Sequence, residues 1–354
     1  MQIDFHHGVT YVVARLAGFE HDAASIIAYC AQYVDDATNA GLIRFDNGTV
    51  FQRMSSAHKM LNYRNFQELA AHRVWIPFHF LPGNGGLPRS LEPEGGLISK
   101  LICRPNSYIA QEMVREAIKC QDFPHGLHRW GVTMHVYADT WAHQGFSGVS
   151  HWANEARNVV DGQGKADRNL MNRLKGYFVN EALPLGHGAV LSNPDKPFLR
   201  WGYTNGYGEK IIRDNPRDFL EAANCMYQAM RRYLLKDPEA IAPEIPEPDK
   251  TIIATMLETI TDRSGKVRHK KWLQAIAAGK FSFGEANICY IPKGKNSWKH
   301  LALGTEHLID KEHQVFTYTP SFLASDWKLF HDALQAHHVY IIHELLPFYG
   351  ICMG

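Results

Sequence analysis

The sequence predicts a mainly α fold: a multi-helix, metal-binding core with a small, partly irregular C-terminal segment. Three observations predict it. Apolar residues recur at three- and four-residue spacing through most of the chain, the periodicity of amphipathic helices. Strand signals are confined to Asn39–Val50, where Asn47-Gly48 marks a turn or short hairpin, and to Phe281–Tyr318, which reads as strands or irregular structure. Within the helical run Met134–His143, His135, Asp139 and His143 fall at successive intervals of four, so one helix face offers imidazole, carboxylate and imidazole to a common point.

The elements follow in order. Val9, Val12, Val13 and Leu16 form an apolar stripe that stops at Gly18, and Ala23–Val34 is an Ala- and Ile-rich helix ending in Asp35-Asp36. His79-Phe80-Leu81-Pro82-Gly83 opens a Gly- and Pro-rich loop running to about Gly96, either a wall of an active site or an exposed connection. Helices are expected over Ser107–Cys120, His128–His143, Ala166–Ala182 and Pro216–Leu235. Beyond a Pro- and Glu-rich linker, further helices are expected over Thr251–Ile260, Val267–Ala278 and Asp326–Leu346. The expected organisation is a helical metal-binding domain over 1–236, a linker over 237–250, and a C-terminal helical segment over 251–354 packed on the core.

Composition narrows the function. At 354 residues, 45% hydrophobic and 21% charged, the chain can bury a substantial core. A net charge of +1 gives no global field for nucleic acid or an anionic membrane. The basic run Lys266–Trp272 reads as a solvated helix face rather than a phosphate-backbone contact. Six scattered cysteines, without close pairs, read as reduced thiols. With no secretory leader and no apolar run long enough to span a bilayer, a cytoplasmic protein is expected. No P-loop, GxGxxG, GxSxG or HExxH motif is present.

Twenty histidines, several beside carboxylates, point to a metal site. A second His and carboxylate at i, i+4, His151 and Glu155, follows eight residues after His143. His6-His7 precede the first helix, and Asp35-Asp36 sit where carboxylates oppose the helix dipole and want a cation. His58 reads as a ligand or an ordinary helix-surface residue. His79 points into a pocket or packs between aromatics. His187, flanked by Gly186 and Gly188 with Asp195 following, reads as a ligand or an exposed turn.

With these residues in place, the chain resembles the zinc-dependent phospholipase C and single-strand nuclease superfamily. The resemblance rests on His135-x3-Asp139, the following His143, and His151-x3-Glu155, with His6, Asp36 (or Asp35) and His58 at early positions. It implies an all-helical fold binding two or three zinc ions. His6, Asp35, Asp36, His58, His135, Asp139, His143, His151, Glu155 and His187 are the candidate ligands, and Asp36, Asp139 and Glu155 carry the catalytic roles. Secreted members of that superfamily also use the amino group of a processed N-terminal Trp. Here Met1 stands at that end, so the expectation is that one metal position is either lost or filled by Asp4, His7 or His187. The N-terminal half is also similar to an uncharacterised bacterial domain family with Asp-Phe-His, Tyr-Val-Asp-Asp and His-Phe-Leu-Pro-Gly segments, a similarity that implies no activity.

The expected function is a metal-dependent hydrolase acting on a small-molecule or lipid phosphoester. Imidazole-carboxylate sites also accept iron or manganese. A di-iron oxygenase or an HD-like phosphohydrolase is the alternative, the latter because His21-Asp22 and His331-Asp332 each supply an adjacent His-Asp pair. A non-catalytic helical interaction protein with structural histidines is the third reading. Oligomeric state is open.

Overall fold

The computed structural model describes residues 1–57, 71–166, 185–308 and 313–352. The helix expected over Ala166–Ala182 and the candidate ligand His58 lie outside the described residues.

The chain starts with a π-helical stretch, Asp4–Val9, that runs directly into α1 (Thr10–Ala17). Gly18, at φ 107°, closes α1 by returning its N–H to the Ala14 and Arg15 carbonyls, a left-handed cap open to glycine. Next comes α2 (His21–Asp36). Ser107 caps α3 (Tyr108–Lys119), its hydroxyl accepting the Ala110 N–H at 3.2 Å.

At the centre lies α4 (Gly126–Ala142), in which every residue from His128 to Ala142 is buried. A helix buried on all faces belongs to a core rather than a surface. Helix α2 packs along it because Gly131 lacks a side chain: a Cβ there would stand 2.5 Å from Cys30 Cβ and 2.7 Å from the Ile27 carbonyl oxygen. Around this axis pack α5 (Asn215–Leu235) and, later in the chain, α8 (Asp326–Val339). Between them come α6 (Glu247–Thr259) and α7 (Gly265–Ala277).

Among the described residues, two three-stranded sheets correct the expectation of a mainly α fold; the architecture is mixed α and β. In the first, β1 (Gly41–Phe45) and β2 (Val50–Arg53) form an antiparallel hairpin around Asn47-Gly48, and the two-residue strand β6 (Val315–Phe316) joins β1 in parallel. In the second, β3 (Ala156–Asp161), β4 (Arg200–Asn205) and β5 (Lys210–Asp214) run antiparallel in that order. The strands of the second sheet offer two or three alternations each, too few to stand out from a helical background. In β3 a register shift between Arg157 and Val160 breaks even that pattern.

Helices α6 and α7 share the main core, whereas Trp327, Phe330 and Leu334 of α8 pack in a second apolar cluster with Tyr33 and Val34. Ile253, Leu257, Trp272 and Ile276 belong to one apolar cluster with Val12, Met134 and Phe219. The stretch 237–250, expected as a linker, is tied down at its far end. Ile245 N–H donates to Asn224 at 3.0 Å, Glu247 opens α6, and buried Asp249 accepts the Ser282 N–H at 2.9 Å. No helix among the described residues is long and apolar enough to cross a membrane.

Candidate metal centre

Helix α4 carries the centre of the site. His135 and Asp139 face the same way from adjacent turns, and His143 is the residue that ends the helix, its N–H bonded to the Asp139 carbonyl at 2.8 Å. The last carbonyls of α4 are held by Arg213 of β5, buried, whose guanidinium donates to Trp141 O at 2.9 Å and Ala142 O at 3.3 Å while its Nε reaches Asp218 at 3.1 Å. A cation at the negative end of a helix fixes that end and with it His143.

Other elements bring the remaining groups. His6 comes from the π-helical stretch, whose six residues are all buried; such widened turns are frequent at functional sites. Its ring stacks on His135 with centroids 3.9 Å apart. Asp35 comes from the end of α2, and His79 follows the short turn Ile76–Phe78. His187 and Asp195 flank the 3-10 turn Gly188–Val190.

Asp139 is the hub. Its Oδ1 lies 3.3 Å from His6 Nε2; its Oδ2 lies 3.2 Å from His135 Nε2, 3.4 Å from His79 Nδ1 and 3.7 Å from His143 Nδ1. Asp195 forms a second focus, with Oδ1 3.5 Å from His143 Nε2 and Oδ2 3.7 Å from His187 Nε2. Asp35 Oδ1 stands 3.9 Å from His79 Nδ1 and 4.0 Å from His135 Nε2. The Met1 ammonium donates to Asp139 Oδ1 at 2.5 Å and lies 3.4 Å from Asp195 Oδ1.

Backbone carbonyls settle which ring nitrogens carry hydrogen. Nδ1 of His135, His143 and His187 lies 2.6 Å from the carbonyls of Ala31, His79 and Leu191, respectively, and His79 Nε2 lies 2.9 Å from Ser56 O. A carbonyl only accepts, so each of these nitrogens donates, and in a neutral ring the other nitrogen is a lone pair. Those lone pairs are Nε2 of His135, His143 and His187 and Nδ1 of His79, and each has a cluster carboxylate within 4 Å. Metal-ligating histidines are oriented in this way. His135 Nε2 and His79 Nδ1 face one another at 3.3 Å, two acceptors with nothing to share. Asp139 Oδ2, Asp195 Oδ1 and both ring nitrogens of His6 are buried without a hydrogen bond. Buried polar atoms left in that condition call for a missing ion or water.

Electrostatics agree with the geometry at Asp139, Asp195 and His6. Burial opposes ionisation of Asp139, yet His143, the Met1 ammonium, His135 and His6 hold it well below the usual carboxylate range. Asp195 is likewise lowered, burial being outweighed by His187, the Met1 ammonium and His143. Burial, with His135 and the Met1 ammonium adding to it, keeps His6 neutral, its pKa well below the ordinary value. At neutral pH the centre therefore offers ionised Asp139 and Asp195 and a neutral His6, the forms that bind metal. Asp35 and His79 are shifted the other way: burial raises Asp35, and against the burial of its ring the Asp139 hydrogen bond and the Asp35 carboxylate raise His79.

Among the described residues, three triads each bring their donor atoms within 4.8 Å of one another: His6, Asp35 and His135; His79, His135 and Asp139; His143, His187 and Asp195. Nitrogen and carboxylate oxygen without thiolate suit zinc, iron or manganese.

Of the ligands expected from sequence, the structure brings together His6, Asp35, His135, Asp139, His143 and His187. It places three elsewhere. Asp36 turns away from its neighbour Asp35 and accepts from Tyr290 at 2.6 Å and Gln32 at 3.1 Å. His151 caps a 3-10 turn, Nδ1 accepting the Ala153 N–H at 3.1 Å, and Glu155 pairs with Arg157 at the start of β3. The catalytic roles expected for Asp36 and Glu155 are withdrawn with their positions. Neither Asp4 nor His7 joins the cluster, because Arg268 and His269 hold them. The His-Asp dipeptides also lie apart: His21 meets Tyr11, and Asp332 pairs with Lys328.

Two cluster residues were outside the expected ligand set, His79 and Asp195. Their signals were weak: a histidine between two phenylalanines ahead of the loop, and an acid eight residues beyond a glycine-flanked histidine. Nothing local marks either as facing Asp139.

The chain matches DUF6765, a family of unknown function, over residues 1–345, and belongs to it. Comparisons with curated proteins and with solved structures return no match.

Proposed function

We propose that this protein is a metal-dependent hydrolase of phosphate esters, holding two or three divalent ions, with zinc the first expectation and iron or manganese compatible. The observation that carries the reading is the convergence of four imidazole lone pairs on two buried carboxylates, Asp139 and Asp195, each with one oxygen that lacks a donor. Asp139, with one oxygen toward His6 and the other toward His79 and His135, is disposed to serve two ion positions at once. His143, His187 and Asp195 offer a further one. Divalent ions bound there supply Lewis acidity, acidify coordinated water and offset charge developing on phosphoryl oxygens.

The protein's own groups define the approach. His135 and Asp139 form a sealed floor, whereas the Asp35 side chain is 32% exposed and that of His187 20%. Substrate would therefore meet the centre along the Asp35–His187 edge. Phe80 stacks on His143 at 4.5 Å and stands 5.9 Å from His187, an apolar wall that excludes water on that side. The hydrogen bonds to Ala31, His79, Ser56 and Leu191 hold four rings in place before anything binds, so little reorganisation is needed.

Elemental analysis of protein purified without chelator, followed by a screen of phosphomonoesters and phosphodiesters with and without chelator, tests the proposal. Two or three equivalents of metal and chelator-sensitive turnover are expected. Protein that carries no stoichiometric metal and takes up none from added zinc would overturn it.

A further inference from the structure

Among the described residues, four of the five histidines at the centre are aimed by a carbonyl; His6 is not. Both its ring nitrogens lack a hydrogen bond, so its direction has to come from the backbone that carries it. That backbone is gripped from outside the centre by α7. Arg268, completely buried, donates through Nε to Asp4 Oδ2 at 2.5 Å and through Nη2 to Asp4 Oδ1 at 3.0 Å and Gln2 Oε1 at 2.8 Å. Its Nη1 is anchored on the Asp262 and Arg263 carbonyls at 2.7 and 3.3 Å. At the next residue, His269 Nε2 meets His7 Nδ1 at 2.9 Å. Trp272 lies against Gly8, where a Cβ would come within 3.0 Å of its own.

Gln2, Asp4, His7 and Gly8 are thus held on the α7 side, and His6 is left pointing at His135 and Asp139. A bidentate guanidinium–carboxylate fork fixes rotation as well as distance. The run Lys266–Trp272, expected as a solvated face, is solvated only at Lys266, Val267, Lys270 and Lys271; Arg268, His269 and Trp272 are buried against the N-terminal stretch.

We infer that Arg268 is a positioning residue of the metal centre, through which α7 of the C-terminal segment sets His6 against His135 and Asp139. The inference rests on the metal-centre reading above.

The test is titration of the full-length metal-free chain with zinc ions alone. His6→Ala defines the zinc equivalent that depends on His6. Arg268→Lys keeps the charge but loses the fork, and is expected to weaken that same equivalent roughly 10-fold or more, the size of effect seen when an orienting partner is lost. Asp4→Leu/Arg268→Met removes both buried charges together, which avoids stranding one of them and keeps the chain folded. It is expected to do the same. In the His6→Ala background neither change should lower zinc further, whereas a general structural role would add to the loss. Wild-type zinc affinity within two-fold in both variants, or an equal additional loss without His6, overturns the inference. Should the wild type take up no zinc, the metal-centre reading falls first. The imidazole 15N shifts of His6 and His135 in metal-free protein then decide the inference separately: displaced shifts in Arg268→Lys uphold it, and unchanged shifts overturn it.

Discussion

His135 with Asp139, and His151 with Glu155, are the same pattern in sequence, a histidine and an acid at i, i+4, and the structure treats them oppositely. The first pair sits on a helix buried on every side, where each polar atom must find a partner and the partners come from α2, the π-helical stretch, the turn before His79 and the Asp195 segment. The second straddles a 3-10 turn and the start of a strand, where His151 is satisfied by a local N–H and Glu155 by an exposed arginine. Spacing puts two side chains on one face only if the segment is helical. It makes a site only if that face is enclosed by other donors.

The sharpest way to break this contrast is Asp139→Ala. Losing the hub should cost metal affinity more than the roughly 100-fold that loss of an outer partner can cost, with helix content by circular dichroism largely kept. Retention of full metal content in that variant would place the ions, if any, elsewhere.

Next in size is Arg213→Ala. It removes the buried cation at the end of α4 and leaves Asp218 without its Arg213 counter-charge, with the Gln144 amide still donating to it, so a loss of about 3 kcal/mol is expected in urea unfolding, with weakened metal binding at His143. An unchanged midpoint would mean that the end of α4 is held by other contacts.

A third test separates cluster histidines from core histidines. His331 and His337 are buried away from the cluster carboxylates, each lowered to about 3 chiefly by burial. In the unfolded chain they titrate near 6.5, so as pH falls from there toward 3 the unfolded state binds protons the native state refuses, and stability drops. Each contributes up to about 1.4 kcal/mol per pH unit within that window. His331→Gln should flatten the slope by one proton's worth in chemical denaturation. A slope identical to that of the wild type would mean that His331 takes up its proton in the folded protein.

The smallest effect is expected from Glu155→Gln: stability within about 0.5 kcal/mol and metal content unchanged. Loss of a metal equivalent in this variant would erase the distinction between the two pairs and return His151 and Glu155 to the ligand set.

Much of the helical framework was legible because its signals are local. The apolar stripe ending at Gly18, the Ser107 cap and Pro216 in the first turn of α5 mark their helices within a few residues. Asn47-Gly48 marked its hairpin for the same reason. The strand β6, two residues long, pairs with β1 across most of the chain, and no local pattern announces such a partner. Asp35 and Asp36 are adjacent and chemically alike, and the choice between them depends on which side of the end of α2 faces α4.

By itself, the sequence determined where helices form and that one of them presents imidazole, carboxylate and imidazole along a single face, because a repeat of 3.6 residues is written in neighbouring positions. Tertiary structure alone decided that His79 and Asp195 meet that face, that His151 and Glu155 do not, and that a buried arginine from α7 grips the N-terminal stretch. Convergence depends on how distant segments pack to bury apolar surface while satisfying polar groups, and that balance is struck only once the whole chain has folded.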